Sequence, residues 1–207
     1  LRPGKEKVWK QIHQMHRRNI KVAQENDVEI LRGETIEHLR DFYDLHLHTR
    51  RRQGVPIQPW KFFERLKKLL LDRGYGFLLL AYKDQQCIAG AVFLHWKAVL
   101  TYKYGASKDD GLKYRPNNLV MWTAIQWGCD QGFTLFDMGR TDLENTGLRT
   151  FKSRWGAQET PLFYTSLGVN SAHVGGGKLM DYMHRILQKS PACICRLSGE
   201  LLYKHFG

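Results

Sequence analysis

Residues 77–107 read FLLLAYKDQQCIAGAVFLHWKAVLTYKYGAS, and the fold follows from how this stretch divides. Phe77 to Tyr82 is continuously apolar and of strand length, the pattern of a strand covered on both faces. Asp84-Gln85-Gln86 makes a turn. Cys87 to Trp96 is a second strand, in which Gly90 marks a bulge or a close approach of two backbones. Val99 to Ser107 is a third, with Tyr102 and Tyr104 alternating. Three strands joined by short turns form an antiparallel meander.

The sequence on either side alternates between helix and strand signals. Lys5 to Asn26 has helical composition, with Ile12, Met15, Ile20 and Ala23 among basic residues, and Val28 to Leu31 is a short strand. Thr35 to Arg51 keeps the helical period through Ile36, Leu39, Phe42 or Tyr43, and Leu47, until Gly54-Val55-Pro56 breaks it. Pro59 suits the first turn of another helix, which carries Phe62, Phe63, Leu66, Leu69 and Leu70 and stops at Gly74 and Gly76. Beyond the meander, Pro116-Asn117-Asn118 opens a helix that runs to Gln131, and Gly132 ends it. Thr134 to Met138 reads as a strand, Gly147 to Trp155 as a short helix and Leu162 to Leu167 as a last strand. Residues 170–177 make a linker. Helices are expected over Lys178 to Gln188 and from Ser198 to His205. A strand that follows a helix tends to lie parallel to a neighbour. The expected class is therefore α/β (α+β), a mixed, mostly antiparallel sheet flanked by helices.

Composition narrows the partners. The 207 residues hold 32 Lys+Arg against 20 Asp+Glu, a formal charge of +12. That balance favours anionic partners such as nucleic acid, nucleotide-linked precursors or an acidic lipid surface; solvated helix faces carrying solubility charge are the plainer source. A 43% apolar composition excludes wholesale disorder, and no apolar run has the length of a membrane span. Leu1 to Lys10 is too charged for a signal peptide, and the missing initiator Met is expected of a fragment or a processed chain. Four cysteines in a chain this long do not make a disulfide scaffold, so a reduced cytoplasmic compartment is expected. Cys87 and Cys129 read as core residues, and Cys193 and Cys195 lack a second pair at zinc-site spacing.

Four segments in order carry a family resemblance. They are Tyr102-Lys103-Tyr104-Gly105-Ala106-Ser107, then Arg115-Pro116-Asn117, then Phe136-Asp137-Met138-Gly139-Arg140-Thr141, and finally Gly147-Leu148-Arg149-Thr150-Phe151-Lys152 with Trp155-Gly156-Ala157. Together they resemble the Fem-like (FemAB-related) branch of the GNAT acyltransferases, the peptidoglycan interpeptide-bridge aminoacyltransferases and their relatives in exopolysaccharide gene neighbourhoods. The likeness runs from about Arg17 to Tyr164 and takes in Thr49 to Gly54 and Phe62-Phe63. It implies a GNAT-like domain at 28–169, the second of two such domains. Residues 1–27 would be a connector helix from a missing N-terminal domain, and residues 170–207 a helical tail packed on the domain.

The resemblance also implies a chemistry: transfer of an acyl or aminoacyl group to an amine. Phe151 and Lys152 would lie in the acceptor site, with the Lys152 ammonium stabilising the tetrahedral intermediate. A fixed cation beside a developing oxyanion acts only on the transition state. Outside the motif, Lys152 would be a solvated residue on a short helix. Arg50, Arg51 and Arg52 can chelate a phosphate on the acceptor, and a guanidinium does so bidentately; as plain structure they are favourable charge at a helix C-terminus. Asp137 is placed to orient or deprotonate the amine and Arg140 to pair with it, and a purely structural Asp–Arg bridge fits the same residues. Tyr104 would line the site where strands splay, or simply pack in its strand.

Several other signals are declined. Gly175-Gly176-Gly177-Lys178 lacks the hydroxyl residue and first glycine of a phosphate loop. His46 and His48 face different sides of a helix, so no metal is expected. The Gly111 to Asn117 junction lacks the glycines of the acetyl-CoA pyrophosphate loop, which counts against acetyl-CoA. No covalent nucleophile is evident, so transfer is direct. The donor is expected to be aminoacyl-tRNA or acyl-CoA, with no tightly bound cofactor. The acceptor is expected to be a phosphate-bearing amine of a cell-envelope or polysaccharide precursor, met in the cytoplasm or, through peripheral membrane contact, at the inner face of the membrane. The alternatives are an acetyl-CoA-dependent N-acetyltransferase on an amino sugar, and a non-catalytic basic module that binds tRNA or another anion.

Overall fold

The computed structural model describes residues 1–165 and 186–202. Its helices are α1 (Lys5–Gln11), α2 (Gln14–Glu25), α3 (Ile36–Gln53), α4 (Trp60–Leu66), α5 (Pro116–Asp130), α6 (Thr146–Ser153) and α7 (Ala192–Leu202). Its strands are β1 (Glu29–Gly33), β2 (Gly76–Lys83), β3 (Gln86–Trp96), β4 (Val99–Ser107) and β5 (Leu135–Asp137). A π-helical turn over Lys67–Leu71 extends α4, and a 3₁₀ turn over Asp110–Tyr114 precedes α5. The strands lie in the order β1-β2-β3-β4-β5. All neighbours are antiparallel except β4 and β5, which are parallel. This is the mixed, mostly antiparallel sheet that the meander requires.

The pleat of β2 divides the core in two. Phe77, Leu79 and Ala81 face one layer with Ile12, Ile20, Leu119, Ile125 and Trp155. Leu78 and Leu80 face the other with Leu39, Phe42, Phe63 and Leu187. That alternation makes β2 continuously apolar: both faces are covered, so neither can be polar. Gly90 serves close approach, since a Cβ there would meet the Leu80 side chain at 2.7 Å. The bulge falls beside it, where β3 passes from Ala89 to Cys87 against Ala81 and Tyr82.

Three boundaries differ from the sequence reading. The N-terminal helix is split between Ile12 and His13, because the His13 amide turns away and donates to the Arg154 carbonyl at 2.8 Å while its ring caps Met15 N. Residues 162–165 form no strand: Leu162, Phe163 and Tyr164 are exposed and irregular. The last helix begins at Ala192 rather than Ser198. It packs on α3, with the Arg196 guanidinium 5.5 Å from the Tyr43 ring centre. The 170–177 linker, the glycine run and most of the helix expected from Lys178 lie outside the described residues.

Candidate active site

The site is built where β4 and β5 part. They pair for three residues only, Val99 with Leu135, Leu100 with Phe136 and Thr101 with Asp137. β5 then ends, while β4 runs on to Ser107 beside β3. Between Tyr102 and Tyr104 the β4 register slips against Phe93 and Val92, so Lys103 has no counterpart. A bulge of this kind adds twist and bends its strand, and the notch is the place where β4 runs on with no β5 residue paired beside it.

Lys152 reaches this notch from the last turn of α6. Its ammonium donates to the carbonyls of Gly139 (2.7 Å) and Arg140 (3.2 Å), just beyond β5. Gly139 is left-handed, at φ 69°, and lies beside the Tyr102 carbonyl, where a chain with a side chain would be strained. Asp137 accepts the Gly139 amide at 2.7 Å and so shapes the turn that presents the two carbonyls. Partial burial lowers the pKa of Lys152 from the ordinary lysine value, and the Asp137 charge opposes that shift. The result is a cation held by two hydrogen bonds to the turn that follows one strand end.

The expected Asp137–Arg140 pair does not form. Arg140 turns outward, donates to the Tyr164 hydroxyl at 3.2 Å and lies 3.7 Å from the Asp142 carboxylate. Asp137 is occupied by the turn instead. Arg140 is thus an exposed residue beside the site rather than a partner within it.

Phe151 points away from Lys152 into the core. Its ring meets His16 edge-on at 5.0 Å and Trp155 at 6.3 Å. Tyr104 lies on the other side of β4, among His46, Phe63 and Phe62 at 5.6, 5.7 and 6.2 Å. Tyr102, on the Lys152 side, folds over Gly105. A Cβ at Gly105 would overlap its hydroxyl, which gives the glycine of the Tyr-Lys-Tyr-Gly run its reason. Burial pushes the Tyr102 phenol up to about 12.

The arginine cluster sits at a different level of β4. Thr49 closes the end of α3 onto the end of β4 by accepting the Ser107 amide at 3.1 Å. Arg50 Nε donates to the Pro56 carbonyl at 3.2 Å, and Arg52 pairs with Asp109 just past β4. Tyr102 and Ser107 are separated by roughly 17 Å of extended strand. The structure therefore does not bring Arg50, Arg51 and Arg52 into contact with Lys152. It sets them at the two ends of one strand segment.

His46, one of the two histidines of α3 set aside as metal ligands, is a packing residue. It is buried, its Nε2 donates to Gln58 Oε1 at 2.9 Å, and burial lowers it to about 4. Among the described residues no group of three or more His, Cys, Asp or Glu could hold a metal. Between β4 and α5, Gly111 is spent on packing, because a Cβ there would meet the Ile88 side chain at 2.7 Å. This junction is a 3₁₀ turn rather than a glycine cradle for pyrophosphate.

The residue that sequence reading missed is His16. It is 1% exposed, stacks on Trp155 at 4.7 Å and bonds the Phe151 carbonyl at 3.0 Å. The signal was present: His16, Ile20 and Ala23 recur at spacings of four and three, so a polar residue stands in the buried stripe of a helix.

The chain is similar to known proteins in sequence and in fold. Over 119 residues the chain is 24% identical to the UDP-N-acetylmuramoylpentapeptide-lysine N(6)-alanyltransferase of Weissella viridescens, covering 58% of this chain and 35% of that one. Over 75 residues it is 31% identical to the lipid II:glycine glycyltransferase of Staphylococcus aureus, covering 33% and 18%. The chain thus spans about a third or less of the length of these curated relatives. Among solved structures, FemX superposes with a TM-score of 0.67 at 17% identity, over 73% of this chain and 56% of that one. The aminoglycoside acetyltransferase AAC(6')-Iy, in complex with a CoA bisubstrate analogue, does so with a TM-score of 0.53 at 16% identity, over 68% and 99%. Residues 10–153 match the acetyltransferase (GNAT) domain family. The chain belongs to that family of transferases, in its Fem-like branch.

Proposed function

We propose that this chain is the catalytic GNAT-like half of an N-acyltransferase that passes an acyl or aminoacyl group directly to an amine on a cell-envelope or polysaccharide precursor. The observation that carries the reading is the Lys152 ammonium, held at the mouth of the β4–β5 notch by the Gly139 and Arg140 carbonyls. A cation fixed before the reaction costs no reorganisation when negative charge develops on the carbonyl oxygen of the tetrahedral intermediate. The acceptor amine attacks the donor carbonyl, the carbonyl electrons move to oxygen beside Lys152, and their return expels the donor's leaving group. Asp137 serves by holding the turn and, next to Lys152, by receiving the proton the amine sheds.

The separation along β4 supports an elongated acceptor, with its amine near Lys152 and its phosphate near Arg50, Arg51 and Arg52. The names of the curated relatives, an alanyltransferase acting on a muramoyl pentapeptide and a glycyltransferase acting on lipid II, fit such a molecule. Aminoacyl-tRNA is the favoured donor over acyl-CoA, because the 3₁₀ turn before α5 offers no glycine cradle. In this reading residues 1–27 connect to an N-terminal GNAT-like domain, 28–169 form the transfer domain and 170–207 a helical tail, and the protein works in the cytoplasm with peripheral contact at the inner membrane face.

An acetyltransferase acting on an amino sugar is the second reading, favoured by the superposition on AAC(6')-Iy. One experiment separates the two and tests the mechanism. Transfer is assayed with charged tRNA and with acetyl-CoA for wild type and Lys152→Ala. The variant should lose roughly 10²–10³-fold in kcat with little change in KM, the cost of removing one oxyanion donor. Full activity in a folded Lys152→Ala protein overturns the mechanism, and turnover with acetyl-CoA alone selects the second reading.

A further inference from the structure

The contact between α2 and α6 has a defined direction. Asn19 Nδ2 donates to Asn118 Oδ1 at 3.3 Å, so Asn118 presents its Nδ2 to His16 Nδ1 at 2.9 Å. Nδ1 therefore accepts, the single imidazole proton sits on Nε2, and it donates to the Phe151 carbonyl at 3.0 Å. Burial lowers the pKa of His16 below the ordinary histidine value, with the Phe151 carbonyl opposing and Arg154 and His13 adding to the shift, so the neutral form is the one favoured here.

The carbonyl it holds belongs to the peptide joining Phe151 to Lys152. It lies in the last turn of α6, where helix carbonyls lack intrahelical partners. The amides that could have taken it are bonded elsewhere: Arg154 N to Thr150 O and Trp155 N to Lys152 O. Its partner comes instead from another helix, and that helix is braced in turn by α5 through Asn118. The His13 amide to Arg154 carbonyl bond, at 2.8 Å, holds the same two segments a turn away.

We propose that His16 is a positioning residue for Lys152: as a neutral donor it fixes the Phe151–Lys152 peptide, and thereby the reach of the Lys152 ammonium to the Gly139 and Arg140 carbonyls. Its catalytic meaning rests on the reading of Lys152 given above; its structural content does not. His16 never touches the notch itself. It acts through a relay of Asn19, Asn118, His16 and the 151–152 peptide, which ties the active-site lysine to the helical layer on one face of the sheet.

The test uses two variants of the 207-residue chain and needs no substrate. His16→Phe fills the slot against Trp155 without a donor. His16→Gln keeps an amide N–H for the Phe151 carbonyl and an oxygen for Asn118. The readout is hydrogen exchange of the Lys152 ammonium by nitrogen-15 NMR, assigned with Lys152→Arg, alongside the melting temperature. Exchange should speed up by about tenfold or more in His16→Phe and stay within about threefold of wild type in His16→Gln. Should His16→Phe fail to fold, His16→Gln decides alone, and a tenfold acceleration in it overturns the proposal. A His16→Phe protein that melts lower with unchanged Lys152 exchange also overturns it, leaving His16 a core residue. The transfer assay on Lys152→Ala is independent: if that variant is fully active, the role given to Lys152 falls while the exchange result still stands for His16.

Discussion

Single side chains decide the shape of the notch. Asp137, Gly139 and Lys152 form one closed unit of acceptor, left-handed turn and donor, and the proposed chemistry rests on its fixed ammonium. Tyr102 and Gly105 form another, in which the absent Cβ makes room for a phenol. Replacing Gly105 by Ala should destabilise the protein by about 1–3 kcal/mol, the range for overpacking a filled site. Adding Tyr102→Ala should cancel much of the clash, so the double mutant should lose less than the sum of the singles in urea denaturation; strict additivity would show that the two do not meet. The sequence showed which residue types stand here but not their pairing. Arg140 is three residues from Asp137 and of opposite charge, yet the turn between them uses the carboxylate for a backbone amide and sends the guanidinium outward.

At the scale of an element, α3 shows what periodicity reveals and what it leaves open. Its start was legible from Thr35, which accepts the His38 amide at 3.2 Å while the His38 ring accepts the Thr35 amide in return. Thr35→Ala should cost about 1 kcal/mol of stability, read as a lower denaturation midpoint at constant m. His46, on the same helix, was legible as helical but not as buried. Folding lowers its pKa from the ordinary 6.5 to about 4, so the unfolded chain takes up the proton first as pH falls. The stability it contributes is complete above pH 6.5 and is lost as pH falls from 6.5 toward 4, by about 3 kcal/mol in all. Urea denaturation at neutral and mildly acidic pH should show this slope in wild type and a shallower one in His46→Phe, which keeps an aromatic between Phe42 and Phe63. Equal slopes would show that His46 does not titrate in this way.

The whole molecule places the two groups of candidate residues in different layers of one sheet. The layer of α1, α2, α5 and α6 holds Phe151 and Lys152, and the layer of α3, α4 and α7 holds Arg50, Arg51, Arg52 and Tyr104. Strand β4 is the shared wall. With a charge of +12, an aminoacyl-tRNA donor would meet many phosphate contacts. If six to ten form, tRNA affinity should fall by about 10³–10⁵-fold between 50 and 200 mM salt, measured by fluorescence anisotropy, and a flat response would remove tRNA as the donor. Among the described residues no helix is long and apolar enough to cross a membrane.

The sequence by itself determined the meander, the helices that cover it and the family, because these are written in local periods and in short runs such as Phe151-Lys152 and Trp155-Gly156. Apolar spacing and turn residues act over a few positions, so a linear reading captures them. Only the tertiary structure decided where β4 and β5 part, that Lys152 rests on the Gly139 and Arg140 carbonyls, and that His16 holds the peptide before it. Those links join residues 12 to 135 positions apart. Their partners are backbone carbonyls, which every residue owns and which become specific only when the fold leaves one of them unpaired.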